Sequence, residues 1–265
     1  MDDVKAIVLR AAGINCDLET DYALRLAGAQ AERIHINRIM AEPALLDGAH
    51  IVVFPGGFSY GDDVAAGKIL ANQVVHHLSD VLHRFVQQGK LILGICNGFQ
   101  VLIKTGLFAA LEDDSQAAGD CPATLTDNDS GRFEDRWVHL QPGTERCVFI
   151  EPGRRLYLPI AHAEGKVVAR DAATLARLRD EGYAAFRYVD AQGQRGGFPV
   201  NPNGSQDDIA ALTDRTGRVL GMMPHPERYV RMTQHPHWTR LKEREGFGDG
   251  MTIFNNAVKY IREHF

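Results

Sequence analysis

The sequence is read as an α/β protein built on a mostly parallel sheet with helices on both faces. Three observations lead there. Short apolar runs alternate with helix-compatible segments through the first hundred residues. Two of those runs end in tight glycine turns, Pro55-Gly56-Gly57 and Gly94-Ile95-Cys96-Asn97-Gly98. The second half is dominated by strand-like segments separated by turns, which adds a β portion to the α/β core.

Lys5-Ala6-Ile7-Val8-Leu9 reads as a buried strand. Leu18 to Ala27 is helix-like, with Asp17 as candidate N-cap and Gly28 as its stop. Glu32 to Ile36 alternates as a second strand, and His50 to Phe54 is a third. Ile69 to Gln87 is a long amphipathic helix closed by Gly89. Leu91 to Ile95 is a fourth strand, and Phe99 to Lys104 a short helix. Residues 112–130, rich in Asp, Ala, Ser and Gly, read as a surface excursion. Trp137 to Leu140, Val148 to Ile150, Lys166 to Ala169 and Ala184 to Val189 look like strands. Ile209 to Thr213 and Val219 to Met223 flank a polar turn and read as a hairpin. A last helix runs from about Thr252 to His264. No linker composition or internal repeat divides the 265 residues, so one domain is expected.

Composition narrows the function classes. A net charge of −5 gives no electrostatic reason to expect nucleic acid or an anionic membrane as partner. No apolar run is long enough to span a bilayer, and Met1-Asp2-Asp3 is unlike a signal peptide. Cys16, Cys96, Cys121 and Cys147 are scattered and form no C-x-x-C pair, which points to a reducing cytoplasm.

Cys96 carries the most chemistry. An apolar run reaches a Gly-x-Cys-x-Gly turn before a helix, which lifts the reactive side chain clear of both elements. This is nucleophile-elbow logic with cysteine in place of serine. The helix that follows aims free N–H groups at the sulfur and favours the thiolate. A buried structural cysteine at a strand end is the competing reading. Met223-Pro224-His225-Pro226-Glu227 supplies the complement. In an extended segment residues two apart share a side, so Glu227 can orient His225, and His225 can take the thiol proton. The adjacent glycines Gly56-Gly57 let backbone N–H groups approach a ligand, and these could form an oxyanion hole with the N–H of Asn97.

Other sites are disfavoured. A Walker motif fails because Gly61 precedes Gly67-Lys68 by too many residues and Ile69 stands where Ser or Thr is needed, and no G-x-G-x-x-G dinucleotide fingerprint appears. His76, His77, His83, His235 and His237 show no metal-ligand spacing, so no metal site is expected. His162 in Ala161-His162-Ala163-Glu164-Gly165 is open between a site and a structural turn.

Taken together, Pro55-Gly56-Gly57-Phe58-Ser59-Tyr60-Gly61-Asp62, Gly94 to Gln100 and Pro224-His225-Pro226-Glu227-Arg228 resemble the class I glutamine amidotransferases. The narrower resemblance is to the glutaminase subunits of phosphoribosylformylglycinamidine synthases, from purine biosynthesis. It rests on Phe58 to Asp62, Asn97 to Gln100, Arg132 to Trp137, His162 to Gly165 and Asn201-Pro202-Asn203-Gly204-Ser205. The resemblance implies a flavodoxin-like fold with an additional β portion, over residues 1–265 as a single domain. It implies Cys96 as nucleophile, His225 as base and then acid, and Glu227 as the orienting carboxylate. Gly57 and Asn97 would supply the oxyanion hole, and Gln100 would help to hold glutamine. Cys16, Cys121 and Cys147 are expected to matter far less.

No cofactor is implied in this chain. The implied partner is a synthetase subunit that uses ATP and magnesium to convert formylglycinamide ribonucleotide to its amidine, with a small bridging subunit. Residues 112–126 read as longer than in compact bacterial subunits, which leaves partner contacts there open. The rival readings are a glutaminase serving another synthetase, such as those making anthranilate, imidazole glycerol phosphate or GMP, and a cysteine-elbow redox sensor, chaperone or hydrolase.

Overall fold

The computed structural model describes residues 3–108 and 122–265. A nine-stranded sheet runs through it in the order β2-β1-β3-β4-β11-β10-β9-β6-β7. Its parallel half holds β1 (Lys5–Arg10), β2 (Gln30–His35), β3 (Ile51–Phe54), β4 (Leu91–Ile95) and β11 (Val219–Met222). Three of these, β3, β4 and β11, are buried along their whole length, as expected of parallel strands covered on both faces.

The helices follow from the crossovers. α1 (Asp17–Leu26) carries the chain from β1 outward to β2, whereas α3 (Lys68–Gln87) carries it from β3 the other way to β4. Right-handed crossovers in opposite directions put these helices on opposite faces. α4 (Asn97–Leu102) packs with α3, and the C-terminal α6 (Met251–His264) packs with α1. The order in which strands are added to the sheet reverses between β1 and β3. Ligands in such sheets bind outside the carboxyl ends of the strands at that switch point.

The antiparallel half is β10 (Ile209–Thr213), β9 (Ala184–Val189), β6 (Glu134–Pro142) and β7 (Leu156–His162). A separate pair, β5 (Ala123–Asp127) with β8 (Glu164–Ala169), completes the added β portion. α2 (Ile36–Ala41) and α5 (Ala172–Asp180) are short connecting helices.

Several local expectations change. Asp17 does not cap α1. Cys16 holds the N-cap position, and Asp17 instead pairs with Arg10 at 2.9 Å and Arg33 at 3.1 Å. Val148 to Ile150 is a turn rather than a strand; Phe149 is fully buried there, and its carbonyl accepts from Asn256 at 3.0 Å. Part of the expected 112–130 excursion is strand β5, while residues 112–121, including Cys121, lie outside the described residues.

Candidate active site

Four loops at the carboxyl ends of parallel strands meet at one place. After β4 comes Cys96, with φ 50° and ψ −109°, a conformation that a side-chain-bearing residue rarely adopts. Such strain costs on the order of 1–3 kcal/mol and persists only where the surroundings enforce it. They do so here by close packing. A Cβ on Gly98 would stand 1.8 Å from the Phe54 carbonyl oxygen, and one on Gly94 would stand 2.5 Å from Leu102. The Cys96 N–H donates to the Met222 carbonyl at 2.7 Å, which ties the elbow to the end of β11. The thiol lies 3.6 Å from the Ala161 carbonyl and is 5 % exposed.

Beyond β11, His225 and Glu227 converge as the extended Pro-flanked spacing requires. His225 Nδ1 donates to Glu227 Oε1 at 2.6 Å, and both residues are buried. The His225 backbone N–H donates to the Pro159 carbonyl of β7 at 2.8 Å. Burial alone would push the imidazole down. The Glu227 carboxylate outweighs it, and the Cys96 and Cys16 thiols add to the effect, so His225 is held well above its usual value. Among the described residues His225 Nε2 has no hydrogen-bond partner, nor has Glu227 Oε2. The ring is oriented at one nitrogen and open at the other, as a general base next to a nucleophile needs to be.

Gly57 follows β3 at φ 146° and bridges to Ile14 in the loop after β1. Asn97 opens α4, and its side chain accepts from Ser59 N–H at 3.1 Å, which joins the glycine turn to the elbow. Gln100 is buried, and its amide is engaged inside the protein. It accepts from Asn97 Nδ2 at 2.9 Å and donates to the Glu164 carbonyl at 2.5 Å.

The residue that sequence reasoning missed is Cys16. The loop after β1 folds over the glycine turn, with Cys16 N–H donating to the Gly56 carbonyl at 3.2 Å. This brings a second, fully buried thiol to the imidazole, and burial pushes that thiol up to about 11. Cys16, His225 and Glu227 offer ligand atoms within 4.8 Å of one another, a donor set that a soft cation could use. The Arg228 guanidinium already lies 3.1 Å from the Cys16 sulfur, so that side of the cluster is met by a protein cation. Its neighbours in Asn15-Cys16-Asp17 form no motif that ties it to the elbow or to His225.

His162 ends β7, and Asn128 fixes its tautomer. Asn128 Nδ2 donates to the Arg132 and His162 carbonyls, and its Oδ1 accepts from Gly165 N–H at 3.1 Å. The His162 Nδ1 facing that oxygen at 3.1 Å therefore carries the hydrogen. Burial first, and the charge of His225 second, push His162 down to about 3.

Residues 3–261 match the model of the CobB/CobQ-like glutamine amidotransferase domain. The chain belongs to this glutamine amidotransferase family. It is 46 % identical to the phosphoribosylformylglycinamidine synthase subunit PurQ of Dehalococcoides mccartyi, over 99 % of this chain and 100 % of that protein. It is 40 % identical to the protein of the same name from Methanococcus maripaludis, over 98 % of each. Among solved structures, a chain of PurLQS from Thermotoga maritima superposes with a TM-score of 0.73 at 29 % identity, covering 98 % of this chain and 100 % of that one. A glutamine amidotransferase from Thermotoga maritima shares the fold, with a TM-score of 0.52 at 14 % identity over 88 % and 81 % of the two chains. No helix among the described residues is long and apolar enough to cross a membrane.

Proposed function

We propose that this chain is the glutaminase subunit of a phosphoribosylformylglycinamidine synthase, with Cys96, His225 and Glu227 as its catalytic residues. The observation that carries the chemistry is a cysteine on a strained elbow beside a buried imidazole whose Nδ1 is held at 2.6 Å by a carboxylate. The near-full-length likeness to subunits named for that synthase supports the choice of substrate pathway.

His225 takes the Cys96 proton, and the thiolate attacks the side-chain amide carbon of glutamine. The oxyanion is held by the N–H groups of Gly57 and Asn97. His225 returns its proton to the leaving nitrogen, so ammonia departs and a glutamyl thioester remains. Water, deprotonated by the same imidazole, cleaves the thioester to glutamate and the free thiol. Gln100 serves glutamine by fixing Asn97 and the Glu164 carbonyl, which its amide already bonds.

Ammonia reacts only while unprotonated, and bulk water at neutral pH protonates it. The product is therefore passed to a synthetase subunit, which uses ATP and magnesium to aminate formylglycinamide ribonucleotide, with a small bridging subunit in the assembly. The PurLQS likeness supports that composition. This reading treats residues 1–265 as one amidotransferase domain with no cofactor of its own. It places the protein in the cytoplasm, a setting in which the unpaired Cys16, Cys96 and Cys147 stay reduced.

The test is glutamate release from glutamine by the chain alone and with its synthetase. Low turnover alone, rising in kcat with the loaded partner and lost on thiol alkylation, is the expected result. Full turnover by the lone chain, unchanged by the partner, would favour an independent hydrolase.

A further inference from the structure

The backbone after Gly57 is wound into an unusual shape. Tyr60, Gly61 and Asp62 follow one another at φ 55°, 75° and 54°, and only the middle one is glycine. Something must hold two side-chain-bearing residues in the left-handed region. Tyr60 is held by its N–H, which donates to the Ala12 carbonyl at 2.7 Å, and by its hydroxyl, which donates to Gln73 at 2.9 Å. Asp62 is held by groups of the loop and of α4. Asp62 Oδ1 accepts from Gly67 N–H at 3.0 Å, which closes the loop on itself, and from Asn97 Nδ2 at 3.1 Å, which anchors it to the nucleophile elbow. Asn97 Oδ1 accepts from Ser59 N–H at 3.1 Å. The second Asn97 amide hydrogen goes to Gln100 Oε1, and Gln100 Nε2 reaches the Glu164 carbonyl. Glu164 Oε2 returns to the same loop by accepting from Ala66 N–H at 3.3 Å. The circuit starts and ends on residues 59–67 and passes through α4 and β8.

We propose that the side chains of Asp62 and Asn97 form a latch that holds the glycine turn in register with the nucleophile elbow, which makes Asp62 a positioning residue for the glutaminase reaction. The inference rests on the reading of Cys96 as nucleophile and of the Gly57 and Asn97 N–H groups as oxyanion donors. One donor stands at the head of the strained loop, and the other belongs to the residue whose side chain grips that loop. The latch is therefore one of the ties that set their separation, beside the packing of Gly98 on the Phe54 carbonyl and the bridge from Ile14 to Gly57. An oxyanion must be met by donors within a few tenths of an ångström of hydrogen-bond distance, so a small shift of one turn weakens the transition state more than bound glutamine.

The chemistry of the latch predicts which substitution it tolerates. Asp62 contributes one acceptor oxygen to two donors. Asp62→Asn keeps that oxygen, whereas Asp62→Ala removes it. Asn97 contributes an acceptor and two donors, so Asn97→Ala removes both the latch and the Gln100 link.

Steady-state glutaminase kinetics in the assembled complex test this. Asp62→Ala is expected to lower kcat by about 10- to 100-fold, less than the roughly 10²–10³ that follows loss of a whole oxyanion donor. KM should change by less than about threefold, and Asp62→Asn should recover most of kcat, because an oxyanion donor acts on the transition state. The double variant Asp62→Ala with Asn97→Ala should lose no more than Asn97→Ala alone, since both break one linkage. Circular dichroism and synthesis from ammonium salts check folding and assembly. If Asp62→Ala misfolds, Asn97→Asp keeps the acceptor for Ser59 N–H but loses the donor to Asp62, and it should lower kcat with KM little changed; full kcat in that variant would overturn the latch. Full kcat in a folded Asp62→Ala protein, losses that add in the double variant, or a rise in KM alone would overturn the latch. Cys96→Ala separates the two readings: if it abolishes glutamine use while Asp62→Ala does nothing, the latch fails and the glutaminase stands.

Discussion

Two buried histidines sit at the carboxyl-end rim of the sheet and are treated oppositely by the fold. His225, beyond the parallel strand β11, meets a carboxylate at 2.6 Å and is held well above its usual value. His162, at the end of the antiparallel strand β7, meets an amide oxygen at 3.1 Å and is pushed down to about 3. Burial acts the same way on both. The difference is the partner: Glu227 bonds His225 directly and offsets the desolvation of the imidazolium, whereas the carboxylate facing His162, Glu134, is paired with Arg136, and the group bonded to the ring is a neutral amide. His225 is thereby fitted to gain and lose a proton, and His162 to stay neutral beside it. An additional charged ring at His162 would repel the imidazolium that ammonia release requires.

The largest effect should come from breaking the active member of the pair. His225→Ala and Cys96→Ala are each expected to abolish glutamine-dependent synthesis in the complex while leaving ammonium-dependent synthesis intact. Because the two act as one unit, the double variant should lose little more than either alone. Glu227→Ala should retain about 10²-fold more activity than His225→Ala, the ratio expected when an orienting carboxylate rather than the base is removed. Equal losses would mean that Glu227 does more than orient. Glu227→Gln makes the His225 surroundings resemble those of His162. By linkage, a raised folded pKa contributes stability that is fully present below about pH 6.5 and is lost as pH rises through the folded value. The stability gap between the native protein and Glu227→Gln, read by urea unfolding, should therefore be widest at or below about pH 6.5 and narrow on the alkaline side.

The same contrast explains what could be read from the sequence. Strand β4 matches its expected bounds because all five residues are buried apolar groups, and a strand covered on both faces has an unbroken pattern. The β10–β11 hairpin was legible from its polar turn. Strand β7 was not foreseen because Pro159 interrupts it, and proline argues against a central strand. β7 is an edge strand, where a missing donor is tolerated, and the Pro159 carbonyl still accepts from His225 N–H. Helix α5 buries only Thr174 and Leu178, too thin a stripe to announce itself, and its N-cap bond from Thr174 N–H to Asp171 was the better signal. The elbow and the His-x-Glu pair were legible because each is local. Cys16 was not, since only the crossing of two loops brings it to a ring more than two hundred residues away. The Asp62–Asn97 contact was hidden for the same reason.

Cys16 gives a smaller and more pointed test. It was expected to be dispensable, yet its thiol supports the charged form of His225. Cys16→Ala should leave the triad in place and cost only a few-fold in kcat. The alkaline limb of the pH profile for kcat/KM should move to lower pH, because His225 loses one of the groups that raise it. Cys147→Ala is the control: that thiol is fully buried far along the chain, burial pushes it up to about 12, and its loss should leave the limb unmoved. An unshifted limb in Cys16→Ala would assign that cysteine to packing.

The smallest effect on turnover, and the cleanest on stability, should come from His162. Its folded value is depressed, so the unfolded chain binds the extra proton first. The sign is therefore opposite to that of His225: stability is fully present above about pH 6.5 and is lost as pH falls toward 3. At pH 5 the loss from this one group is roughly 2 kcal/mol, taking about 1.4 kcal/mol for each pH unit below the unfolded value. His162→Gln cannot charge, and its amide can still donate to Asn128. Substitution will cost some packing at every pH, because the Gly165 backbone lies against the ring and a Cβ there would stand 2.2 Å from Cε1. The slope, rather than the absolute stability, is what identifies the histidine. Urea unfolding of both proteins between pH 5 and 7 should show a shallower acid-side decline for His162→Gln. Parallel curves would mean that His162 is not held neutral by the fold, and the contrast between the two histidines would fall with it.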